Sequence, residues 1–208
     1  MRFIPRLLGD EVRRAARHFP ALIITGPRRA GKTTLLRRLF PAATYRLLED
    51  PDIVARVRTD PRAFMEDLRT PAILDEVQNT PEILAYVRTR IDAAPRRAGQ
   101  WILTGSQDAA LMRGVTESLA GRAAVFQLLP LSTQETDRVS LLRGGFPEVL
   151  ARPAAAAVWF RSYVQTYLER DVRAVSAIRD LVVDPSRSGS VENRASPGRI
   201  LRHAPRTV

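Results

Sequence analysis

At 208 residues and 23.2 kDa the chain is long enough for one domain and part of a second, and its 45% hydrophobic residues supply a real core, which excludes a disordered tail or a fibrous repeat. Thirty-three basic against 22 acidic side chains give a net charge of +11, but every basic residue except Lys32 is an arginine, a bias typical of GC-rich coding that weakens the case for a nucleic-acid partner. With no cysteine, disulfides, thiolate zinc sites and cysteine nucleophiles are excluded as well.

The opening MRFIPRLLGD holds no apolar run of signal-peptide length. The longest such run, Ala154–Phe160, is far below the roughly 20 residues that span a bilayer. The expectation is therefore a cytoplasmic protein without a membrane partner. Ala21–Thr25 reads as a buried strand and leads into Gly26-Pro27-Arg28-Arg29-Ala30-Gly31-Lys32-Thr33-Thr34, which satisfies G-x-x-x-x-G-K-[ST], the Walker A pattern. Leu35, Leu36 and Leu39 then mark a helix over Thr33–Phe40 that stops against Pro41. Strand before and helix after are the context this pattern requires. Its glycines let backbone N–H groups turn towards phosphate oxygens, and the helix N-terminus adds further donors. Lys32 is placed to reach the β- and γ-phosphates and Thr33 to hold magnesium. A lone lysine in an arginine background indicates a position that needs a compact ammonium.

Thr44–Leu48 and Ala72–Asp75 are the next two strands. The second carries Asp75 at its carboxyl end, a candidate for holding magnesium from behind Thr33, and Glu76 follows as candidate base for a water attacking the γ-phosphate. Pro81–Ile91 has helical spacing, with Thr80 as its expected N-cap. Trp101–Thr104 is a fourth strand, ending in Thr104, Gly105, Ser106 and Gln107. Thr104, Ser106 and Gln107 are alternative residues for orienting the water, with Ser106 carried as the site residue and a helix cap as its structural alternative. The fifth strand is Ala123–Leu128. Before it, Arg113 and Arg122 bracket a glycine-bounded segment, and Arg122 is the candidate arginine for transition-state charge. Alternating strands and helices predict an α/β domain with its ligand at the carboxyl ends of a parallel sheet.

After Leu131 the pattern turns helical. Ser132-Thr-Gln-Glu135 has the form of a capping box, Gly144-Gly145 a turn, and Ala154–Val175 one long helix. On that helix Trp159, Tyr163 and Tyr167 share a face read as buried packing. From Val182 no period survives. Residues 182–208 hold three prolines, four serines, five arginines and two acids, a composition expected to be disordered. His18, His203, Asp92, Asp108 and Asp137 show no ligand spacing, so no metal beyond a nucleotide-bound magnesium is indicated.

Set side by side, FPALIITGPRRAGKTT, PAILDEVQNTPEIL, WILTGS, SLAGRAAVFQLLPL, LRGGFPE and YLERDV resemble prokaryotic AAA-type P-loop ATPases with a C-terminal DUF4143 domain. The resemblance runs over residues 1–181. It implies an AAA-like sheet of about five strands flanked by helices, with one strand inserted between the loop strand and the acidic strand. It also implies ATP as ligand, with Lys32, Thr33, Asp75 and Glu76 in the roles above. Members of that family are about twice this long, so the chain is expected to be truncated. The expected organisation is an ATPase core over 1–131, a short helical segment over 132–181 and a tail over 182–208. The leading function is magnesium-dependent ATP binding with hydrolysis. The rivals are a nucleotide-binding fragment without turnover, a nucleic-acid-associated module, and a small-molecule kinase with Glu49-Asp50 facing its acceptor. Expected partners are ATP, a second copy through self-association and, on weaker grounds, nucleic acid.

Overall fold

Three of the apolar runs are uninterrupted, and they form the interior of the sheet. The computed structural model describes residues 3–106, 114–115 and 117–167. Its five strands are β1 (Ala21–Thr25), β2 (Thr44–Leu47), β3 (Ala72–Asp75), β4 (Trp101–Thr104) and β5 (Ala123–Gln127). All pair in parallel, in the order β2-β3-β4-β1-β5. Every residue of β1, β3 and β4 is buried, whereas β2 and β5, on the two edges, are partly exposed. Near-continuous apolar strands are what a parallel sheet covered on both faces demands. β4 lies between β1 and β3, so the strand carrying the loop and the strand carrying the acids are next-but-one neighbours.

Side chains alternate faithfully between the two faces. Ala21, Ile23, Ala72, Leu74, Trp101 and Leu103 face one core, shared with Phe64, Ile83, Leu84 and Val87. Leu22, Ile24, Ile73 and Ile102 face the other, shared with Val12, Leu35 and Leu36. The first core is covered by α3 (Pro51–Thr59), α4 (Pro61–Glu66) and α5 (Ile83–Ala93). The second is covered by α1 (Leu8–Ala15) and α2 (Lys32–Leu39). Strand and helix bounds agree with the sequence reading to within one or two residues for all five strands, α2 and α5.

Several local expectations are corrected. Thr80 does not cap α5: its buried hydroxyl makes no hydrogen bond, and the helix starts at Ile83 after a tight turn. Among the described residues before β4, three helices are additional. α3 and α4 each open on an Asp-Pro pair, Asp50 accepting from the N–H groups of Asp52 and Ile53 and Asp60 from that of Ala63. That is a start signal with a mechanism. α1 shows little in the sequence because few apolar residues stand among its charges.

After β5 the chain is less helical than expected. Ser132–Glu135 forms a turn, with Glu135 bonded to the N–H of Ser132 but no helix following. Helices resume at α6 (Pro147–Ala151) and α7 (Ala156–Tyr167). On α7 the aromatic face packs on itself and on Phe146: Trp159 stacks on Tyr163 at 4.8 Å, and Phe146 lies 4.9 and 5.0 Å from the two rings. These rings are half-buried rather than buried, so the face is packed but still meets solvent. Residues 168–175 of the expected long helix and the segment 182–208 lie outside the described residues.

Candidate functional site

The loop between β1 and α2 owes its shape to its neighbours as much as to its glycines. Gly26 leaves the strand with φ +140°, and a Cβ there would sit 2.2 Å from the carbonyl oxygen of Leu128. That oxygen belongs to the segment leaving β5, held by the Leu128 N–H donating to the Thr25 carbonyl at 2.8 Å. Arg29, at φ +63°, takes a left-handed conformation uncommon outside glycine. The loop closes on Lys32, which is 5% exposed; its ammonium donates to the carbonyls of Gly26 at 2.9 Å and Pro27 at 3.2 Å. Loop and lysine thus form one hydrogen-bonded unit at the N-terminus of α2.

Parallel pairing brings the acids to the same edge. Asp75, 2% exposed, ends β3 and accepts three hydroxyl hydrogen bonds. Thr33 Oγ1 and the Tyr45 hydroxyl each donate to Oδ2 at 2.7 Å, and Thr104 Oγ1 donates to Oδ1. Thr104 also accepts from the Glu76 N–H at 3.2 Å, so it bridges the two acids. Burial, reinforced by the hydrogen bond to Asp75 and that residue's charge, holds the Tyr45 phenol well above its usual pKa, and it remains a donor.

Glu76 turns out of the strand with φ +61°. Its Oε2 accepts from the Gln78 side-chain amide, and its carbonyl accepts from Asn79 Nδ2 at 3.1 Å. Its side chain lines a cavity of about 560 Å³ with Arg28, Arg29, Lys32, Thr33, Glu49 and Glu148. Arg28 faces Glu49 across that cavity at 3.7 Å, and its Nε is buried without a hydrogen-bond partner. An orphaned guanidinium N–H beside a loop lysine fits an anionic ligand. Hydroxyl and carboxylate oxygens at Thr33 and Asp75 fit a hard cation such as magnesium. A smaller apolar recess of about 170 Å³ adjoins the loop, lined by Phe3, Ile4, Arg6, Ala30, Gly31, Thr34, Leu131 and Pro147.

The sequence candidates divide accordingly. Pro27, Ala30 and Thr34 belong to the loop and first turn, and Gly26, Arg28, Arg29, Gly31, Lys32, Thr33, Asp75 and Glu76 meet at one sheet edge. Ser106 follows β4 at that edge and is 4% exposed. Of the alternatives at this point, Thr104 touches both acids. Gln107 and Arg113 lie outside the described residues. Arg122 is a correction: it precedes β5, where its carbonyl accepts from the N–H of Ala21 at the opposite edge of the sheet. A strand's length, about 15 Å, separates it from the loop. There its guanidinium pairs with both oxygens of Asp92, at 2.7 and 3.1 Å. Asp50, an acid of the kinase alternative, is committed to capping α3.

Two participants escaped the sequence reading. Tyr45 lies on an edge strand and had no motif to flag it. Arg6 reaches the loop from the N-terminal segment, donating to the carbonyls of Ala30 at 3.0 Å and Leu129 at 2.6 Å, and was one arginine among many.

A parallel sheet in this order, with a glycine-rich loop between β1 and α2 and acids at the end of β3, defines a P-loop nucleotide-binding domain. The family model for the AAA domain matches residues 18–136, and the chain belongs to that family. Residues 134–183 match a domain of unknown function, DUF8612, rather than the DUF4143 domain named by the resemblance. The uncharacterized proteins Rv2008c of Mycobacterium tuberculosis and Mb2031c of Mycobacterium bovis are each 33% identical to it over 171 residues. The match takes in 77% of this chain and 38% of each relative, so the chain spans little more than a third of their length. The Walker-type ATPase PABY2304 of Pyrococcus abyssi has a similar fold, with a TM-score of 0.52 at 16% identity over 80% of this chain and 73% of that one. No helix among the described residues is long and apolar enough to cross a membrane.

Proposed function

We propose that the chain binds ATP with magnesium and hydrolyses it. The observation that carries this reading is the 2.7 Å hydrogen bond from Thr33 to Asp75, which joins the loop to the acidic strand beside Glu76. Loop N–H groups and the Lys32 ammonium bind the β- and γ-phosphate oxygens, with Arg28 and Arg29 at the same cavity adding positive charge. The apolar recess between Ile4, Leu131 and Pro147 takes the base. Thr33, with Asp75 behind it, holds magnesium, which when bound neutralises charge on the phosphates. Ser106 helps to orient a water towards the γ-phosphorus, and Glu76 takes its proton on a carboxylate oxygen. The water oxygen bonds to the γ-phosphorus as the bond to the bridging oxygen breaks, leaving ADP and inorganic phosphate.

Binding and turnover are separable. Glu76→Gln should hold a fluorescent ATP analogue as tightly as the parent while phosphate release falls by about 10²–10⁴-fold. Phosphate release at the parent rate would refute the role of Glu76. Absence of ATP binding by the parent protein would refute the whole reading.

A further inference from the structure

We infer that Tyr45 is a positioning residue for Asp75, committing that carboxylate to act on a bound metal through Thr33 rather than as a direct ligand; this rests on the proposed ATP–magnesium reading of the site. A carboxylate offers about four lone-pair directions. On Asp75 the two directions of Oδ2 are taken by the Thr33 and Tyr45 hydroxyls, both at 2.7 Å, and Thr104 takes one of Oδ1. Only one direction of Oδ1 is left, and a carboxylate so constrained does not rotate to place Oδ2 on a cation. Without the Tyr45 hydroxyl, Oδ2 would keep Thr33 alone, and the carboxylate would lose its restraint on the side facing β2.

The placement of Tyr45 is braced from two directions. Parallel register sets Tyr45 beside Ile73 and Leu47 beside Asp75, so the phenol reaches diagonally along one face of the sheet to the end of β3. From α2, the Arg37 guanidinium lies over the ring at 5.0 Å from its centroid. The helix that presents Thr33 thus also fixes the ring whose hydroxyl shares Thr33's acceptor. Two hydrogen bonds and one cation–π contact join edge strand, acidic strand and loop helix into one circuit, and Tyr45 is its member on β2. A partner that orients a metal-side group in this way typically controls affinity for the ion by 10–100-fold.

The test is a titration of Mn²⁺ into the full chain saturated with a non-hydrolysable ATP analogue, followed by electron paramagnetic resonance of the free ion. Affinity for the analogue without metal is measured in parallel. Tyr45→Phe keeps the ring and the contact with Arg37, so the fold is retained. It should weaken Mn²⁺ binding by about tenfold and leave metal-free analogue affinity unchanged. Arg37→Gln keeps the hydroxyl and removes only one brace of the ring, so it should lose less Mn²⁺ affinity than Tyr45→Phe. Parent-like Mn²⁺ affinity in Tyr45→Phe overturns the inference while leaving the ATP reading intact. Equal losses in both variants also overturn it, since packing of β2 on α2 would then be the cause. If the parent itself shows no nucleotide-dependent Mn²⁺ binding, the ATP–magnesium reading fails and the inference falls with it.

Discussion

Arg6 and Glu135, separated by 129 positions, form an ion pair at 2.9 Å beside the loop between β1 and α2, with side chains 7% and 6% exposed. Arg6 also donates to the loop carbonyl of Ala30, and Glu135 accepts from the backbone N–H groups of Leu7 and Ser132, each at 2.9 Å. Three pieces of chain, the N-terminal segment, the loop and the segment after β5, therefore meet at one pair of charges. Removing a single partner from such a pair leaves an uncompensated charge. Because Arg6 keeps the carbonyls of Ala30 and Leu129, Glu135→Gln should lower unfolding free energy by about 1–2 kcal/mol, measured by urea denaturation at neutral pH.

The same pair predicts a pH dependence with a definite sign. Burial opposes ionisation of Glu135, but the Arg6 guanidinium and the N–H groups of Ser132 and Leu7 outweigh it and lower the pKa below the ordinary 4.5. The unfolded chain then takes up the proton first as pH falls. The contribution is complete above the ordinary glutamate value and disappears as pH drops through the lowered native one. Parent and Glu135→Gln unfolding curves should differ at neutral pH and converge in acid. A difference that grows on acidification would contradict this assignment.

Lys32 offers a test at the loop itself. Its ammonium sits 5% exposed between two loop carbonyls, a space suited to a compact charge. Lys32→Ala should weaken ATP binding by about 2 kcal/mol, or roughly thirtyfold. Lys32→Arg should not restore it, because a planar guanidinium with fixed donors does not fit where the ammonium does. Calorimetric titration with ATP and magnesium reads both.

Gly26 and Gly121 make a matched pair for the loop. Both have positive φ, at +140° and +72°, but a Cβ on Gly26 would collide with the Leu128 carbonyl, whereas one on Gly121 meets nothing within 4 Å. Gly26→Ala should cost about 3 kcal/mol, with the loop displaced and ATP binding impaired. Gly121→Ala should cost about 1 kcal/mol, with ATP binding intact. Thermal unfolding and ATP titration of the two variants give the comparison.

Arg122 supplies a negative control for catalysis. Paired with Asp92 at the edge of the sheet remote from the loop, it cannot touch a phosphate bound by its own chain. Arg122→Ala should hydrolyse ATP at the parent rate. A large loss of turnover with unchanged folding would show that the residue serves the site of another copy.

Much of the fold is legible in the residues because its signals are local. ALIIT, AILD and WILT announce strands buried on both faces, and G-x-x-x-x-G-K-T announces the turn that joins a strand to a helix. Asp75 and Glu76 are legible because a parallel strand delivers its last residues to the ligand edge whatever its neighbours are. The Asp-Pro starts of α3 and α4 were equally local, and their capping carboxylates explain why Asp50 belongs to a helix rather than to an acceptor site.

The sequence by itself determined the loop, the place of the acids at a strand end and the parallel sheet, since each depends on residues within a few positions of one another. Strand order and long-range contacts were left to the tertiary structure. Only the assembled sheet moves Arg122 to the wrong edge, sets Tyr45 against Asp75 from the neighbouring strand, and joins Arg6 to Glu135 across 129 positions. No local pattern encodes these, because a hydroxyl or guanidinium acquires its partner only when strand pairing and burial remove water as the alternative.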